Sequence, residues 1–147
     1  MVDQATEQMV VGASPERTWE VLTNFPDYPI WAHDLKSVTV LEHDEEGRGL
    51  LVRFRAAAMG RSTSYTLRYD FSDAPRVLAW KLEDGDITRA LDGSYELRPV
   101  DGQAGQTEVI YQLTVDLVIP LPGFVKRRAE SRLMHTALRG LQGYLEK

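Results

Sequence analysis

The chain has 147 residues, with 17 basic and 22 acidic side chains, which gives a formal net charge of -5 at pH 7. A length of this order predicts a single domain, residues 1–147, with one hydrophobic core. The acidic balance argues against binding to nucleic acid, since a duplex requires a concentrated basic face. The absence of cysteine excludes disulfides, thiolate metal sites and cysteine nucleophiles, and it suits a reducing cytoplasm.

The N-terminal residues lack the pattern of a targeting signal. Residues 1–9 carry acids and amides where a signal peptide would need a basic stretch followed by an apolar run. No window approaches 18 continuous apolar residues, so no transmembrane helix is predicted. These features predict a cytoplasmic protein that does not insert stably into a membrane.

The N-terminal segment predicts a strand followed by two short helices. The strand covers residues 6–11 and ends in β-branched residues. Ser14 can cap a helix, and the proline after it suits the first helical position because its missing N–H would have no partner there. This helix turns Trp19 and Leu22 toward the core. The aromatic segment 25–31 contains two prolines, which predict a bent turn or a short second helix.

From residue 36 onward the hydrophobic period changes to two, which predicts an antiparallel meander. The alternation is clearest around residue 67, where Tyr65, Leu67 and Tyr69 share one face and Arg68 takes the other. Such alternation indicates that one face of the sheet meets water. The predicted strands of the meander are residues 37–42, 50–58, 62–72, 77–82, 88–99 and 106–118.

Pro120 and Pro122 end the last strand, and a helix is predicted from Gly123 to about Tyr144. At 1.5 Å per residue the helix reaches roughly 33 Å, so it can cross the whole sheet. The sequence thus predicts an α+β fold, in which a curved antiparallel sheet of about seven strands wraps a long C-terminal helix. The stripe expected to face the core comprises Val125, Ala129, Leu133, Thr136, Ala137, Gly140, Leu141 and Tyr144.

Two charged residues interrupt this stripe. Lys126 and Glu130 point in nearly the same direction as Leu133 and Ala137 on a helical wheel. A buried charge is expensive unless it is paired or hydrated. One interpretation is a slightly rotated stripe, with the two residues as a surface pair. The other is that only the C-terminal half of the helix packs on the sheet, which leaves a partly polar cavity under its N-terminal half.

A curled sheet around a single helix is hard to fill uniformly with side chains, which favours a cavity for an apolar small molecule. Small residues at 56–58 leave room, and tyrosines and a tryptophan supply apolar bodies with polar tips. The alternative is that the aromatic residues are ordinary core. The predicted lining residues are Trp31, Phe54, Ala56, Ala58, Tyr65, Leu67, Tyr69, Trp80, Tyr95, Tyr111, Leu113, Leu121, Lys126, Ala129, Glu130 and Leu133.

Candidates for acid–base chemistry are few. His33 follows the aromatic turn and is a candidate general base, although a loop histidine without a role is the simpler interpretation. Asp92 lies on a predicted strand and is a candidate if it faces the cavity, and Tyr65 and Tyr69 complete the set. No tight cluster of metal ligands, phosphate-binding glycine loop or dinucleotide fingerprint occurs, so neither a metal nor a cofactor is predicted.

Four segments carry a family resemblance, namely GASPERTW at 12–19, FPDYPIW at 25–31, GSYEL at 93–97 and PLPGFVKRR at 120–128. In this order and spacing they resemble the polyketide cyclase/dehydrase branch of the START-like (SRPBCC) superfamily, over essentially the whole chain. The resemblance implies a helix-grip fold with a cavity between the long helix and the inner face of the sheet. The activities of this superfamily range from aromatase/cyclase reactions to carriage of lipids and quinones, so the fold does not fix the function.

The resemblance implies that cyclase members use positioned Arg, Tyr, His or Asp groups. In this chain Arg53, Arg55 and Arg68 are expected to face outward, since neighbours on a strand alternate. The leading hypothesis is therefore binding, transport or sequestration of a hydrophobic molecule such as a lipid, a quinone or a polyketide-like aromatic. The alternatives are aromatase/cyclase or dehydratase activity in the same cavity, and a protein-interaction module.

The exit from the sheet suggests a further hypothesis. Leu121 and Phe124 are apolar, and the basic run 126–128 follows, which would suit a transient contact with an anionic membrane. A mobile lid with ordinary solubilising charges is the alternative. The protein is expected to be a monomer or a homodimer.

Overall fold

A computed structural model gives the structure of residues 3–58, 60–118 and 122–147, apart from the side chains of residues 3, 58 and 61. The predicted α+β helix-grip architecture is confirmed. The strands are β1 (Asp3–Val11), β2 (Leu35–His43), β3 (Gly49–Ala58), β4 (Arg61–Asp70), β5 (Val77–Gly85), β6 (Thr88–Val100) and β7 (Gln103–Leu117). The helices are α1 (Pro15–Thr23), a 3-10 turn (Phe25–Asp27), α2 (Tyr28–Trp31) and α3 (Gly123–Leu145).

The strands form one antiparallel sheet in the order β1-β7-β6-β5-β4-β3-β2. Every connection except one joins neighbouring strands, and the exception places β1 beside β7, with Val11 opposite Thr107. The connection from β1 to β2 carries α1 and α2 over the concave face of the sheet. There α1 lies against β6 and β7, and α2 lies against β2 and α3.

The start of α1 is formed as the sequence predicts. The backbone N–H of Arg17 donates to the Ser14 hydroxyl oxygen at 3.1 Å, which satisfies one of the unpaired donors of the first turn. Leu22 is fully buried and Trp19 is half-buried. The proline-rich segment after α1 is a short turn followed by a short helix, and its Tyr28 hydroxyl donates to the carbonyl of Leu22.

The strands are longer than predicted at several ends. β1 begins at residue 3 rather than 6, and β5 continues to Gly85 through a segment predicted as a loop. The connection between β6 and β7 is a tight turn, shorter than the loop left between the predicted strands 88–99 and 106–118. Gly102 has a φ of 75° there, which L side chains rarely adopt, and this conformation lets β7 begin at Gln103.

The long helix α3 turns a different face to the sheet from the predicted one. Met134, Leu138 and Leu141 are fully buried, whereas Leu133 is 45% exposed and Ala129 is exposed as well. The predicted stripe is therefore wrong in its first half. The helix is rotated by roughly one residue, about 100°, relative to that stripe. Thr136, also assigned to the stripe, is exposed.

Helix α3 also makes a close contact with α2. A Cβ atom built on Gly140 would lie 2.0 Å from the carbonyl oxygen of Trp31, so only glycine permits this approach. The contact presses the helix against α2 along the Gly140 side. Ala137, Tyr144 and Leu145 pack around the buried residues and complete the core at this end of α3.

Candidate ligand-binding site

The inner face of the sheet carries a continuous set of aromatic rings, here called the aromatic network. Neighbouring rings in it have centroids 4.4 to 6.0 Å apart. The strand register produces it, because Phe54 lies opposite Tyr65 and Tyr95 lies opposite Tyr111 on the same face. Its members are Phe25, Tyr28, Trp31, Phe54, Tyr65, Tyr69, Trp80, Tyr95 and Tyr111.

Trp80 lies in the middle of this network. Its ring centroid is 5.2 Å from that of Tyr95 and 6.0 Å from that of Tyr111. The indole lies over Gly93, where a Cβ atom would come within 2.7 Å of the ring, so the glycine makes room for the tryptophan. Sequence and register together therefore fix the position of this indole.

Two buried hydrogen-bond donors in the network lack a protein acceptor. The Nε1 groups of Trp31 and Trp80 are buried, and no residue in the described part of the chain accepts a hydrogen bond from either. Leaving a buried donor unpaired costs about 1–3 kcal/mol. An oxygen atom of a bound molecule would remove that cost, so these donors fit a ligand with an acceptor group.

Burial keeps the tyrosines of the network protonated. Desolvation raises the pKa of Tyr28, Tyr65, Tyr69 and Tyr95 above the usual value for tyrosine. It also raises the pKa of Tyr111 to about 12, although a hydrogen bond from Tyr95 partly opposes this shift. At neutral pH these hydroxyls are neutral groups that can donate hydrogen bonds but are poor general bases.

The two halves of α3 contribute different side chains to the interior. In the described part of the helix, the apolar residues of the core begin at Met134. Before Met134, Glu130 is 8% exposed and Lys126 is half-buried. The surface-pair interpretation does not hold for Glu130, because its side chain is buried. The apolar core residues of α3 lie in its C-terminal half, and a cavity under its N-terminal half stays a prediction.

The structure separates the catalytic candidates into two groups. Tyr65 and Tyr69 belong to the aromatic network, whereas His33 is exposed after α2. Asp92 lies opposite Thr114 on the outer face of the sheet, and its carboxylate accepts a hydrogen bond from the Leu82 backbone N–H at 2.9 Å. His33 and Asp92 therefore lie away from the tyrosines.

The predicted lining residues fall into three sets. Those on the inner face or on α2 are Trp31, Phe54, Ala56, Tyr65, Leu67, Tyr69, Trp80, Tyr95, Tyr111 and Leu113. From α3, Lys126 and Glu130 face inward, but Ala129 and Leu133 lie on its exposed side, so the structure contradicts their assignment to the lining. Leu121 and the side chain of Ala58 lie outside the described part.

The sequence prediction missed Phe25 and Tyr28 as members of the network. The two prolines of this segment indicated a turn, and a turn is usually exposed. The density of aromatic residues in FPDYPIW was the available signal, because large apolar rings seldom cluster where nothing covers them. The arginines follow the prediction: Arg53, Arg55 and Arg68 are exposed on the outer face.

Two surface depressions lie outside the network. One has a volume of about 150 Å³ and lies between α1 and α3, beside Arg17, Glu20 and Tyr144. The other is a shallow groove of about 660 Å³ along the outer side of α3. Both are bordered mainly by charged or polar groups, which do not suit an apolar ligand.

The described residues contain neither a metal-binding cluster nor a helix that could span a membrane. No group of three histidine or carboxylate side chains in the described ranges converges as a metal site. No described helix is long and apolar enough to cross a membrane.

Comparison with known proteins gives a family and a fold. Residues 3–146 match the family model described as polyketide cyclase/dehydrase and lipid transport. A search of curated proteins found no match.

Several solved structures are similar over nearly the whole chain. A START superfamily protein from Mycobacterium smegmatis has 20% identity and a TM-score of 0.90, and the match covers 97% of each chain. The ZhuI aromatase/cyclase from Streptomyces sp. R1128 has 19% identity and a TM-score of 0.83, covering 99% of this chain and 94% of that chain. A protein from Thermus thermophilus has 21% identity and a TM-score of 0.78, covering 97% of each chain. Identities this low establish the shared fold alone.

Proposed function

The chain belongs to the polyketide cyclase/dehydrase and lipid transport family, and from this premise we propose that it binds one hydrophobic small molecule between the aromatic network and residues 123–133 of α3. The observation that carries the proposal is the change along α3 at Met134. From Met134 onward, apolar side chains of α3 pack in the core. Glu130, which precedes Met134 in the helix, faces inward instead. An inward carboxyl group beside an interior rich in aromatic rings supports a ligand site, because such sites combine apolar walls with a few polar groups.

The lining also supports a chemical class of ligand. The rings offer flat apolar faces that favour stacking. The Trp80 indole N–H and the neutral tyrosine hydroxyls offer donors for oxygen acceptors. Quinones and polyketide-like aromatics carry both features, whereas a saturated fatty acid carries oxygen only at one end. We therefore place quinones and polyketide-like aromatics ahead of simple lipids.

One observation favours a second function, an aromatase/cyclase or dehydratase reaction in the same place. Cyclisation of a poly-keto chain needs a base for an α-proton and a donor for the keto oxygen. Glu130 is an inward carboxyl group, and Tyr65 and Tyr69 are neutral donors. Turnover that disappears in Glu130→Gln and in both Tyr→Phe variants, without unfolding, would support the enzyme. Unchanged turnover in all three variants would remove these assignments.

The proposed binding is tested first with the ligand that the protein brings from the cell. Native mass spectrometry and solvent extraction of freshly purified protein should reveal a bound apolar species. Calorimetric titration with a hydroxyanthraquinone, a short-chain quinone and palmitate then ranks the classes. If no bound species is found and no member of the panel binds or raises the melting temperature, the binding proposal is overturned.

A matched pair of variants tests the site itself. Trp80→Phe keeps a ring but removes the buried donor, and Trp19→Phe makes the same change on α1, outside the network. We expect Trp80→Phe to weaken binding of the preferred ligand about tenfold, which is the size of one hydrogen bond, and Trp19→Phe to leave it unchanged. Equal losses in both variants would contradict the location of the site.

We also propose that the protein acts in the cytoplasm as a monomer or homodimer without nucleic-acid partners. The absence of cysteine and the net charge of -5 support this. Light scattering after size-exclusion chromatography gives the oligomeric state, and cell fractionation gives the location. A larger oligomer, or recovery outside the cytoplasm, would contradict the proposal.

A further inference from the structure

The outer side of α3 carries a row of basic side chains. Arg128, Arg132, His135 and Arg139 are spaced by four, three and four residues, so they lie on one face of the helix and span about 16 Å. All four are exposed. We call them the basic row.

The positive charge of the basic row comes from its three arginines, which stay protonated in proteins. No arginine of the row forms an ion pair with any residue in the described ranges. The acidic residue within α3 itself, Glu130, is buried on the opposite side. The row is therefore a local positive surface on a chain whose net charge is -5. Screening confines the repulsion from distant acidic groups to about 8–10 Å, so the row dominates the field near this face.

An exposed aromatic side chain continues the basic row. Phe124 lies one turn before Arg128 and two turns before Arg132, and its side chain is 65% exposed. It is the most exposed large apolar side chain in the described part of the chain. Cationic side chains beside an exposed aromatic residue match the two contributions to binding at a membrane surface, namely attraction to anionic lipid and partition of an apolar group.

From this arrangement we propose that the outer side of α3 docks on the surface of an anionic lipid bilayer, through the basic row and Phe124. Guanidinium groups match phosphate oxygens in two-point hydrogen bonds, which suits lipid headgroups. An acidic protein partner fits less well, because a protein interface needs an apolar centre. Within the groove that the arginines border, the side chains beside them include the polar Ser131 and Thr136.

The structure also corrects which cations are involved. The sequence run 126–128 suggested Lys126 as a membrane contact, but this residue is half-buried and belongs to the inward side of α3. Arg132 and Arg139, which the run does not include, lie in the row. The docking surface is a helix face rather than a continuous segment of sequence, and it does not depend on which ligand the interior binds.

Co-sedimentation with vesicles tests the docking proposal. Vesicles of phosphatidylcholine with one third phosphatidylglycerol should bind the protein, and pure phosphatidylcholine should not. Each cation near such a surface contributes about fivefold, so Arg128→Gln/Arg132→Gln should weaken partition about 20-fold. Phe124→Ser should weaken it too, because the aromatic anchor is lost.

The control for net charge is Arg53→Gln/Arg55→Gln, which removes two exposed cations from the outer face of β3. This variant should bind vesicles within about twofold of the unmodified protein, since its charges lie away from α3. Equal weakening in both double variants would overturn the proposal. So would failure to bind the anionic vesicles, and binding to soluble poly-glutamate without vesicle binding would assign the row to an acidic protein instead.

Discussion

Residues 123–133 and residues 134–145 of α3 belong to one helix, yet they present different chemistry to the same sheet. The second segment contributes Met134, Leu138 and Leu141, which are fully buried. The first contributes Glu130 and Lys126 to the interior, and its apolar Leu133 and Phe124 are exposed. A helix meant only for stability would continue its apolar stripe from end to end. The difference indicates that residues 134–145 carry the apolar packing of α3, whereas residues 123–133 turn polar side chains inward.

The largest change in stability should follow from truncating a buried side chain in residues 134–145 of α3. Leu138→Ala removes a fully buried side chain and leaves a cavity, so the free energy of unfolding should fall by about 2–5 kcal/mol. Leu133→Ala, five residues earlier on the exposed side, should change it by less than about 0.5 kcal/mol. Urea denaturation of both variants measures the difference. Similar losses would contradict the observed rotation of α3.

Alkaline pH should weaken the aromatic interior. Burial raises the pKa of Tyr111 to about 12, above the value of about 10 for an exposed tyrosine. Between these values the unfolded chain loses the proton and the folded chain keeps it, so stability falls as pH rises. This residue alone should remove about 2 kcal/mol by pH 12.

Urea denaturation at several values between pH 8 and 11.5 measures this loss. The Tyr111→Phe variant should show a shallower decline, whatever its stability at neutral pH. A flat profile above pH 10 in the unmodified protein would mean that the tyrosines are not buried as described.

Two glycines of α3 sharpen the comparison, because replacing each with alanine should change the stability of the protein in opposite directions. Gly140→Ala would place a methyl group 2.0 Å from the Trp31 carbonyl oxygen, so it should cost about 1–3 kcal/mol. A Cβ atom on Gly143 meets nothing within 4 Å, so Gly143→Ala should stabilise by about 0.5–1 kcal/mol through helix propensity. Thermal unfolding of both variants should give melting temperatures on either side of the unmodified protein. A gain for both would show that α3 does not approach α2 this closely.

The smallest effect concerns the hydrogen bonds that join each half of α3 to β1. Ser131 donates to the Glu7 carboxylate at 3.1 Å in the first half, and Gln142 donates to the Val10 carbonyl at 3.2 Å in the second. Ser131→Ala should cost about 0.5 kcal/mol or less, because the bond is exposed. Hydrogen exchange should nevertheless become faster in residues 123–133 alone, since few apolar contacts hold that segment. Faster exchange in both halves would mean that α3 opens as one unit.

Much of the sheet was predictable from residue patterns. The alternation of Tyr65, Leu67 and Tyr69 predicted the inner face of β4. The same two-residue period predicted that the arginines of β3 and β4 face outward. The same counting places Asp92 opposite in parity to Tyr95, so its outward orientation was available from sequence. Strand ends were less predictable, because the Gly102 turn depends on a backbone conformation that the residue permits but does not require.

The orientation of α3 was not predictable from the helix alone. Val125 and Leu133 suggest one apolar stripe, and Met134 and Leu138 suggest another. Packing in the core selects the second, because Met134 and Leu138 are fully buried against residues far away in sequence. The inward position of Glu130 and the exposure of Leu133 both follow from that selection. For this reason the sequence identified the aromatic part of the candidate site but misassigned part of its helical wall.

The pairing of β1 with β7 also bears on the order in which the protein can assemble. Asp3 lies opposite Val115, so over a hundred residues must be synthesised before the first strand can find its partner. Synthesis at about 5–20 residues per second leaves the backbone groups of β1 unpaired for roughly 5–20 s. In this state the strand is most prone to pair with another chain. Glu7 points to the inner face of that strand, and an inward charge is one of the features that protect exposed strand edges. Glu7, which accepts the hydrogen bond from Ser131 in the folded protein, is thus also placed to protect β1 from pairing with another chain before β7 has been synthesised.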